Sequence, residues 1–266
     1  MQSRSMISNS TDSTLEEIGG WQVLRLEEVD STNSFLMRER HLLLQPKQVV
    51  LAATQKQGRG RLGRSYISLP GRHLTFSAVI HPGLPLSRLQ GMALPVGIAV
   101  ARVLERKIEG VRLKWPNDVL VKNRKICGIL IETSDLEQIP HPVLILGIGI
   151  NTEGKIQEFP EELRTVLTTL EEEANFQIDR EELFQELLAE LDLVFEHLMK
   201  KGMKALLEEW MIRAAVSGKR VRCLNGTIED GTFEGLTPEG FPRIRREDGT
   251  LYIHYSGDLI HDPSEN

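Results

Sequence analysis

Alternation of apolar and polar residues marks Leu74–Ile80 as a strand with one buried face. Trp21–Glu28 and Val49–Thr54 read as strands as well. Lys125–Glu132 and Val143–Asn151 are almost continuously apolar, as strands covered on both faces are. Helical spacing governs two other stretches. Leu89, Met92, Ala93, Val96, Ala99, Val100, Val103 and Leu104 form one side of a helix expected from Ser87 to about Lys107, with Pro95 and Gly97 in its middle as a kink or a close contact. Asp179 with Glu182 opens a second helix running to about Lys200, whose stripe of Leu183, Leu187, Leu191, Val194, Phe195 and Leu198 belongs to the core. A shorter helix ends near Trp210.

Punctuation completes the layout. Asp30-Ser31-Thr32-Asn33 is a helix N-cap. Strands enter and leave Trp115-Pro116-Asn117-Asp118, so those four residues turn, and Lys122-Asn123-Arg124 makes a hairpin. Gly147 and Gly149 sit on one face of a core strand, which suggests a bulge or something flat packed on the backbone. From Gly218 onward, short strands alternate with turns at Asn225-Gly226, Pro238-Glu239-Gly240 and Asp248-Gly249, the texture of a small separate β-barrel. Residues 1–20, rich in Ser, Thr and Glu, read as a flexible tail. The expected organisation is therefore α+β: a tail (1–20), a mixed sheet packed with helices (21–212) and a small barrel (213–266).

Composition narrows the class. The chain has 266 residues, 40% hydrophobic and 26% charged, with a formal net charge of -6. That acidity argues against a general nucleic-acid binder. Two cysteines without a CxxC or histidine partner argue against a zinc site or disulfide framework and fit a reducing, cytoplasmic setting. No apolar run approaches the length of about 18 residues that a membrane span needs.

Against this acidity stands Gln55-Lys56-Gln57-Gly58-Arg59-Gly60-Arg61-Leu62-Gly63-Arg64, with three glycines, four cations and no acid. Glycines let a backbone curl closely around a ligand, and guanidinium forks suit carboxylate and phosphate. The loop is built for an anion. Gly58-x-Gly60-x-x-Gly63 also fits the dinucleotide fingerprint, but Ser65-Tyr66-Ile67-Ser68 is no helix start, so the context that motif needs is missing. Lys125 lies at the mouth of an apolar strand, where its amine could be aimed inward.

Taken in order, Asp30-Ser31-Thr32-Asn33, Gln55 with the arginine loop, Lys114-Trp115-Pro116-Asn117-Asp118 with Lys125, and Gly147-Ile148-Gly149-Ile150-Asn151 closely resemble biotin–protein ligase, also called biotin–[acetyl-CoA-carboxylase] ligase. The resemblance runs from about 24 to 260. It implies a class II synthetase-like catalytic domain followed by a Src-homology-like barrel. It also implies ATP-dependent activation of biotin to biotinoyl-AMP and transfer to a lysine of a biotin carboxyl carrier protein. Ser31, Thr32, Asn33, Gln55, Gly58, Arg59, Gly60, Lys125, Gly128, Gly147 and Gly149 would then serve biotin. Arg61, Arg64, Tyr66, Asn117, Asp118 and Asn151 would serve ATP and the adenylate. Lys125, Arg59 and Arg61 would carry catalysis, with Mg²⁺ arriving on ATP and no metal ligand assigned. The loop is expected to be mobile in the empty enzyme and to close over the adenylate.

Leu62 stands where some relatives have arginine, and Tyr66 where some have tryptophan. No DNA-binding domain is expected ahead of residue 21, so the resemblance is to the monofunctional type, without a nucleic-acid or membrane partner. A dimer through a sheet edge stays open. The alternatives are a lipoate or octanoyl transfer enzyme of similar fold, and a module that holds biotin or nucleotide without turnover.

Overall fold

The computed structural model describes residues 13–174, 176, 178–225 and 227–261. Eight strands form the main sheet: β1 (Ser13–Ile18), β2 (Trp21–Val29), β3 (Gln48–Gln55), β4 (Leu74–Ile80), β5 (Val111–Lys114), β6 (Asp118–Val121), β7 (Arg124–Ser134) and β8 (Val143–Ile150). Their order is β1-β2-β3-β4-β8-β7-β6-β5. Among the described strands of this sheet only the β2–β3 pair is parallel, which makes the sheet mixed. The parallel step comes from α1 (Thr32–Arg38), which with a short 3-10 turn carries the chain from β2 back to start β3.

Three longer helices, α2 (Ala93–Glu105), α4 (Arg180–Lys201) and α5 (Met203–Arg213), pack on one face, and the short α3 (Leu170–Glu173) lies between α2 and α4 in the chain. The larger core lies there: Leu144, Leu146, Ile148 and Ile150 of β8 and Phe76 and Ala78 of β4 point into it. The opposite face is divided. Val143, Ile145, Val50 and Val79 pack under Leu36 of α1 and Leu43 in a smaller cluster. Further along the same face, β8 switches to Gly147 and Gly149, and β4 to Ser77 and Thr75, residues that pair across the two strands. One face thus holds an apolar half that seats α1 and a polar half.

Five more strands, β9 (Arg220–Asn225), β10 (Thr227–Leu236), β11 (Pro242–Arg245), β12 (Leu251–Ile253) and β13 (Asp258–His261), form an antiparallel sheet ordered β12-β11-β10-β9-β13. This is the small C-terminal β unit expected from the turns, although Gly226 lies outside the described residues. It does not pack alone. Val221, Cys223, Phe233, Ile244 and Leu259 belong to the same apolar cluster as the main core.

Two expectations need correction. Residues 13–18 of the expected tail form β1, the edge strand paired along its length with β2; residues 1–12 lie outside the described part. Polar side chains misled that reading, since an edge strand with four exposed positions needs little apolar content. The helix expected from Ser87 starts at Ala93, after a 3-10 turn at Leu86–Arg88. Pro95 then falls in the first turn, where its missing N–H has no intrahelical bond to lose, so it starts the helix instead of kinking it. Gly97 faces Leu113 and Ile129, at ordinary contact distance from where a Cβ would lie.

Candidate active site

The arginine loop leaves the end of β3 and doubles back on itself. The Tyr66 N–H donates to the Gly58 carbonyl at 2.8 Å and the Gly60 N–H to the Arg64 carbonyl at 2.7 Å. A Cβ on Gly58 would lie 2.5 Å from the Tyr66 carbonyl oxygen, so only glycine permits this closure. At the tip, Leu62 (φ 54°) and Gly63 (φ 74°) adopt left-handed backbone. Leu62 is exposed to solvent. A single 3-10 turn at Arg61–Gly63 and then the strand β4 follow β3, with no α-helix between them, consistent with rejecting the dinucleotide motif.

Each cation of the loop is paired with an acid outside it. Lys56 meets Glu28 at 2.5 Å, Arg59 meets Glu132 at 2.5 Å and Arg64 meets Asp258 at 2.6 Å. Arg61 lies 3.5 Å from Asp258 and also donates to Asn117 Oδ1 at 3.3 Å and the Gly257 carbonyl at 3.2 Å. Burial holds the Arg61 guanidinium below its ordinary value, against the pull of Asp258 and Asp118. Asp258 belongs to β13, so the C-terminal sheet grips the loop directly.

Lys125 reaches the site because of a β-bulge. Between Val119–Cys127 and Leu120–Lys125 the β6–β7 register shifts, leaving Ile126 as an extra residue. Ile126 and Cys127 consequently both face the apolar core, while Lys125 and Gly128 share the open face. Lys125 Nζ pairs with Asp118 Oδ1 at 2.7 Å. It arches over Gly128, where a Cβ would sit 2.9 Å from the amine. Cys127 is buried, and burial drives its thiol far up, away from the thiolate that a nucleophile needs.

Gly128 pairs with Gly149 across β7 and β8. Together they make a trench in the sheet, and the flat group lying on it is the Tyr66 ring. A Cβ on Gly149 would be 2.5 Å from Tyr66 Cζ. The Tyr66 hydroxyl donates to Asn151 Oδ1 at 2.9 Å, and burial pushes the phenol well above its ordinary value. Asn151 itself is buried, its amide donating to the Thr168 carbonyl at 3.0 Å. It anchors Tyr66 and does not line the cavity.

The N-terminus of α1 supplies the uncharged lobe. Ser31 is the N-cap of that helix, and the following Thr32 and Asn33 are buried. The Thr32 N–H donates to Gln55 Oε1 at 2.8 Å. Ser77 Oγ lies 2.6 Å from Thr32 Oγ1 and 2.5 Å from Asn33 Oδ1. Asn117 braces the β5–β6 turn by donating to the Ile129 carbonyl at 2.6 Å, and Trp115 Nε1 donates to the Gly240 carbonyl at 3.0 Å.

Of the residues singled out in the sequence, Ser31, Thr32, Asn33, Gln55, Arg59, Gly60, Arg61, Arg64, Tyr66, Asn117, Asp118, Lys125, Gly128, Gly147 and Gly149 line one cavity of about 130 Å³. Gly58 and Asn151 stand just outside it as supports. Sequence reasoning missed Ser77, Glu132 and Asp258. Ser77 and Glu132 lay in strands read only for their apolar face, and Asp258 lies far off in the chain.

Known proteins resemble this chain along most of its length. The bifunctional ligase/repressor BirA of Escherichia coli is 30% identical over 252 residues, covering 92% of this chain and 75% of that protein. The biotin--[acetyl-CoA-carboxylase] ligase of Paracoccus denitrificans is 30% identical, covering 77% of this chain and 86% of its own. Residues 26–151 match the model of the biotin/lipoate A/B protein ligase family. The chain belongs to this family. A solved family structure, the biotin protein ligase from Aquifex aeolicus in complex with biotin and ATP, is 31% identical with a TM-score of 0.76, covering 90% of this chain and 97% of that one. The chain spans 65% of the length of the Bacillus subtilis bifunctional ligase/repressor BirA, to which it is 33% identical.

Proposed function

We propose that this chain is an ATP-dependent biotin–protein ligase. The biotin carboxylate attacks the α-phosphorus of ATP, expelling pyrophosphate and leaving biotinoyl-AMP. The ε-amine of a lysine on a biotin carboxyl carrier protein then attacks the acyl carbon and releases AMP. One observation carries the reading: a hydrogen-bonding but uncharged lobe (Ser31, Thr32, Asn33, Gln55) opens into a cationic lobe (Arg59, Arg61, Arg64, Lys125) within one small cavity. A neutral ureido ring with a carboxylate tail needs the first, and a triphosphate meeting that carboxylate needs the second.

Two anions must be brought together, so the site has to neutralise both. Arg61 and Arg64 suit the phosphates as bidentate donors. Lys125, a compact charge on a flexible stem, can leave Asp118 for an oxygen of the carboxylate or α-phosphate and stay with it through the transition state. Tyr66, hinged on Asn151, can cover the adenylate against water. Among the described residues no group of three or more His, Cys, Asp or Glu side chains could hold a metal alone. Mg²⁺ would come with the phosphates, with Asp118 and Asp258 the acids lining the cavity. No described helix is long and apolar enough to cross a membrane, and the cytoplasm, where ATP and carrier are found, is the proposed setting.

The test is biotin-dependent exchange of labelled pyrophosphate into ATP. Wild type should exchange only with biotin, and Lys125→Ala should lose roughly 10²-fold or more, the scale of removing one preorganised charge. Exchange with lipoate or octanoate instead would keep the fold and change the substrate. No exchange with any acid, from folded protein, would reduce the chain to a binding module.

A further inference from the structure

We infer that Glu132 is a positioning residue of the uncharged lobe, fixing the direction of its hydrogen bonds and tying the arginine loop to it. The inference rests on the ligase reading above. Glu132 lies on β7 with its side chain largely buried, and its two carboxylate oxygens serve two different elements. One pairs with Arg59 Nη2 at 2.5 Å, and Arg59 also donates to Ser34 Oγ at 2.9 Å. The other accepts from Asn33 Nδ2 at 2.8 Å.

The second contact decides how the lobe presents itself. A carboxylate only accepts, so Asn33 must turn its NH₂ toward Glu132 and its carbonyl toward Ser77. Ser77, 2.5 Å from that carbonyl, must then spend its proton on it. Its oxygen, 2.6 Å from Thr32 Oγ1, is left to accept. Whichever way that relay runs, the Thr32 backbone N–H donates to Gln55 Oε1 at 2.8 Å, with the Thr32 hydroxyl 3.2 Å from the same oxygen, and this leaves the Gln55 NH₂ to be offered elsewhere. The Leu130 carbonyl, 3.3 Å from Asn33 Nδ2, accepts from the same amide more weakly, and Glu132 supplies the charged acceptor that holds Asn33 against the flip that would reverse the chain. Gly147 leaves room for this relay, since a Cβ there would lie 2.4 Å from Asn33 Oδ1. The first contact fixes the root of the loop whose tip carries Arg61 and Arg64, so lobe and loop share one anchor.

The experiment measures biotin affinity by calorimetry and the KM for biotin and for ATP in pyrophosphate exchange. It compares wild type, Glu132→Gln, and Glu132→Gln with Asn33→Asp. Glu132→Gln puts an amide where only an acceptor fits, so biotin affinity should fall roughly tenfold or more, the loss expected for a hydrogen bond to a charged group. The KM for ATP should change much less. The double variant moves the charge from β7 to α1 and restores the order at Ser77, giving up only the weaker bond from position 33 to the Leu130 carbonyl. The carboxylate introduced at position 33 accepts from both Ser77 and the new amide at position 132, and the carbonyl of that amide still accepts from Arg59. Most of the lost biotin affinity should return. A uniform loss on both substrates, no loss in Glu132→Gln, or no rescue in the double variant would overturn the inference while leaving the ligase reading intact. A wild type that binds no biotin would remove both.

Discussion

Arg64 Nη2 and Asp258 Oδ2 meet at 2.6 Å, joining the tip of a loop that follows β3 to the last described strand of the chain. Arg64 is mostly exposed and Asp258 mostly buried, so the pair is an exposed cation held by a fixed acid that Arg61 also approaches. An isolated exposed pair contributes at most about 1 kcal/mol, and salt weakens it. The clasp is weak enough to open for a substrate and strong enough to bias the empty loop toward closure.

Trypsin reads that bias, because it cleaves after the arginines of the loop. Asp258→Asn should speed cutting between residues 59 and 64 of the folded protein by roughly threefold, the population change that a pair of this strength allows. High salt should do the same to wild type, and biotin with ATP should slow both. Equal rates for wild type and variant at low salt would mean that the clasp does not restrain the loop.

Much of the site was legible because its chemistry is local. Ser31 could be read as a cap, and the arginine loop as an anion cradle, from adjacent residues alone. Gly147 and Gly149 suggested a bulge or something flat on β8, but not that Asn33 would fill the space at Gly147 and the Tyr66 ring that at Gly149, a contact between residues more than eighty positions apart. Lys125 was aimed correctly for an incomplete reason: the bulge at Ile126 that turns it to the open face leaves no trace in a continuously apolar run. The acids that hold the arginines, Glu132 and Asp258, were invisible as partners because pairing is a property of the folded sheets. The strand at Ser13–Ile18 escaped because an exposed edge needs no apolar pattern.

The packing of Tyr66 on the glycine trench predicts a strong coupling. In an ordinary strand, Gly→Ala is neutral or stabilising because it restricts the unfolded chain. At position 149 the new methyl would lie 2.5 Å from Tyr66 Cζ and 2.8 Å from its hydroxyl, which forces the ring off the sheet and breaks its bond to Asn151. Gly149→Ala should therefore cost about 1–3 kcal/mol in urea unfolding, the usual range for overpacking. In a Tyr66→Ala background the same change should cost under about 0.5 kcal/mol, giving a coupling well outside additivity. Equal costs in both backgrounds would show that the ring does not rest on the trench.

His73 sets a pH dependence that can be signed in advance. It is 3% exposed, stacks on Phe159 with ring centroids 5.7 Å apart, and neither ring nitrogen makes a hydrogen bond of normal geometry. Burial, with Arg180 and Arg72 nearby and a weaker opposing pull from the Glu153 backbone, lowers its pKa to about 4. The unfolded histidine takes up its proton near pH 6.5, but the folded one does not until about pH 4. The stability this residue contributes is thus complete above pH 6.5 and is lost as the pH falls toward 4, by up to roughly 3 kcal/mol. His254, whose pKa burial also lowers, adds a loss of the same sign. Most carboxylates with lowered pKa act below this window, so between pH 6.5 and 5 the histidines should dominate the slope. Replacing His73 by Phe keeps the stacking and removes the proton. Urea midpoints at pH 7.5 and pH 5 should then lie closer together in His73→Phe than in wild type. An unchanged gap would mean that the ring gains a proton-accepting partner or solvent in solution and titrates normally.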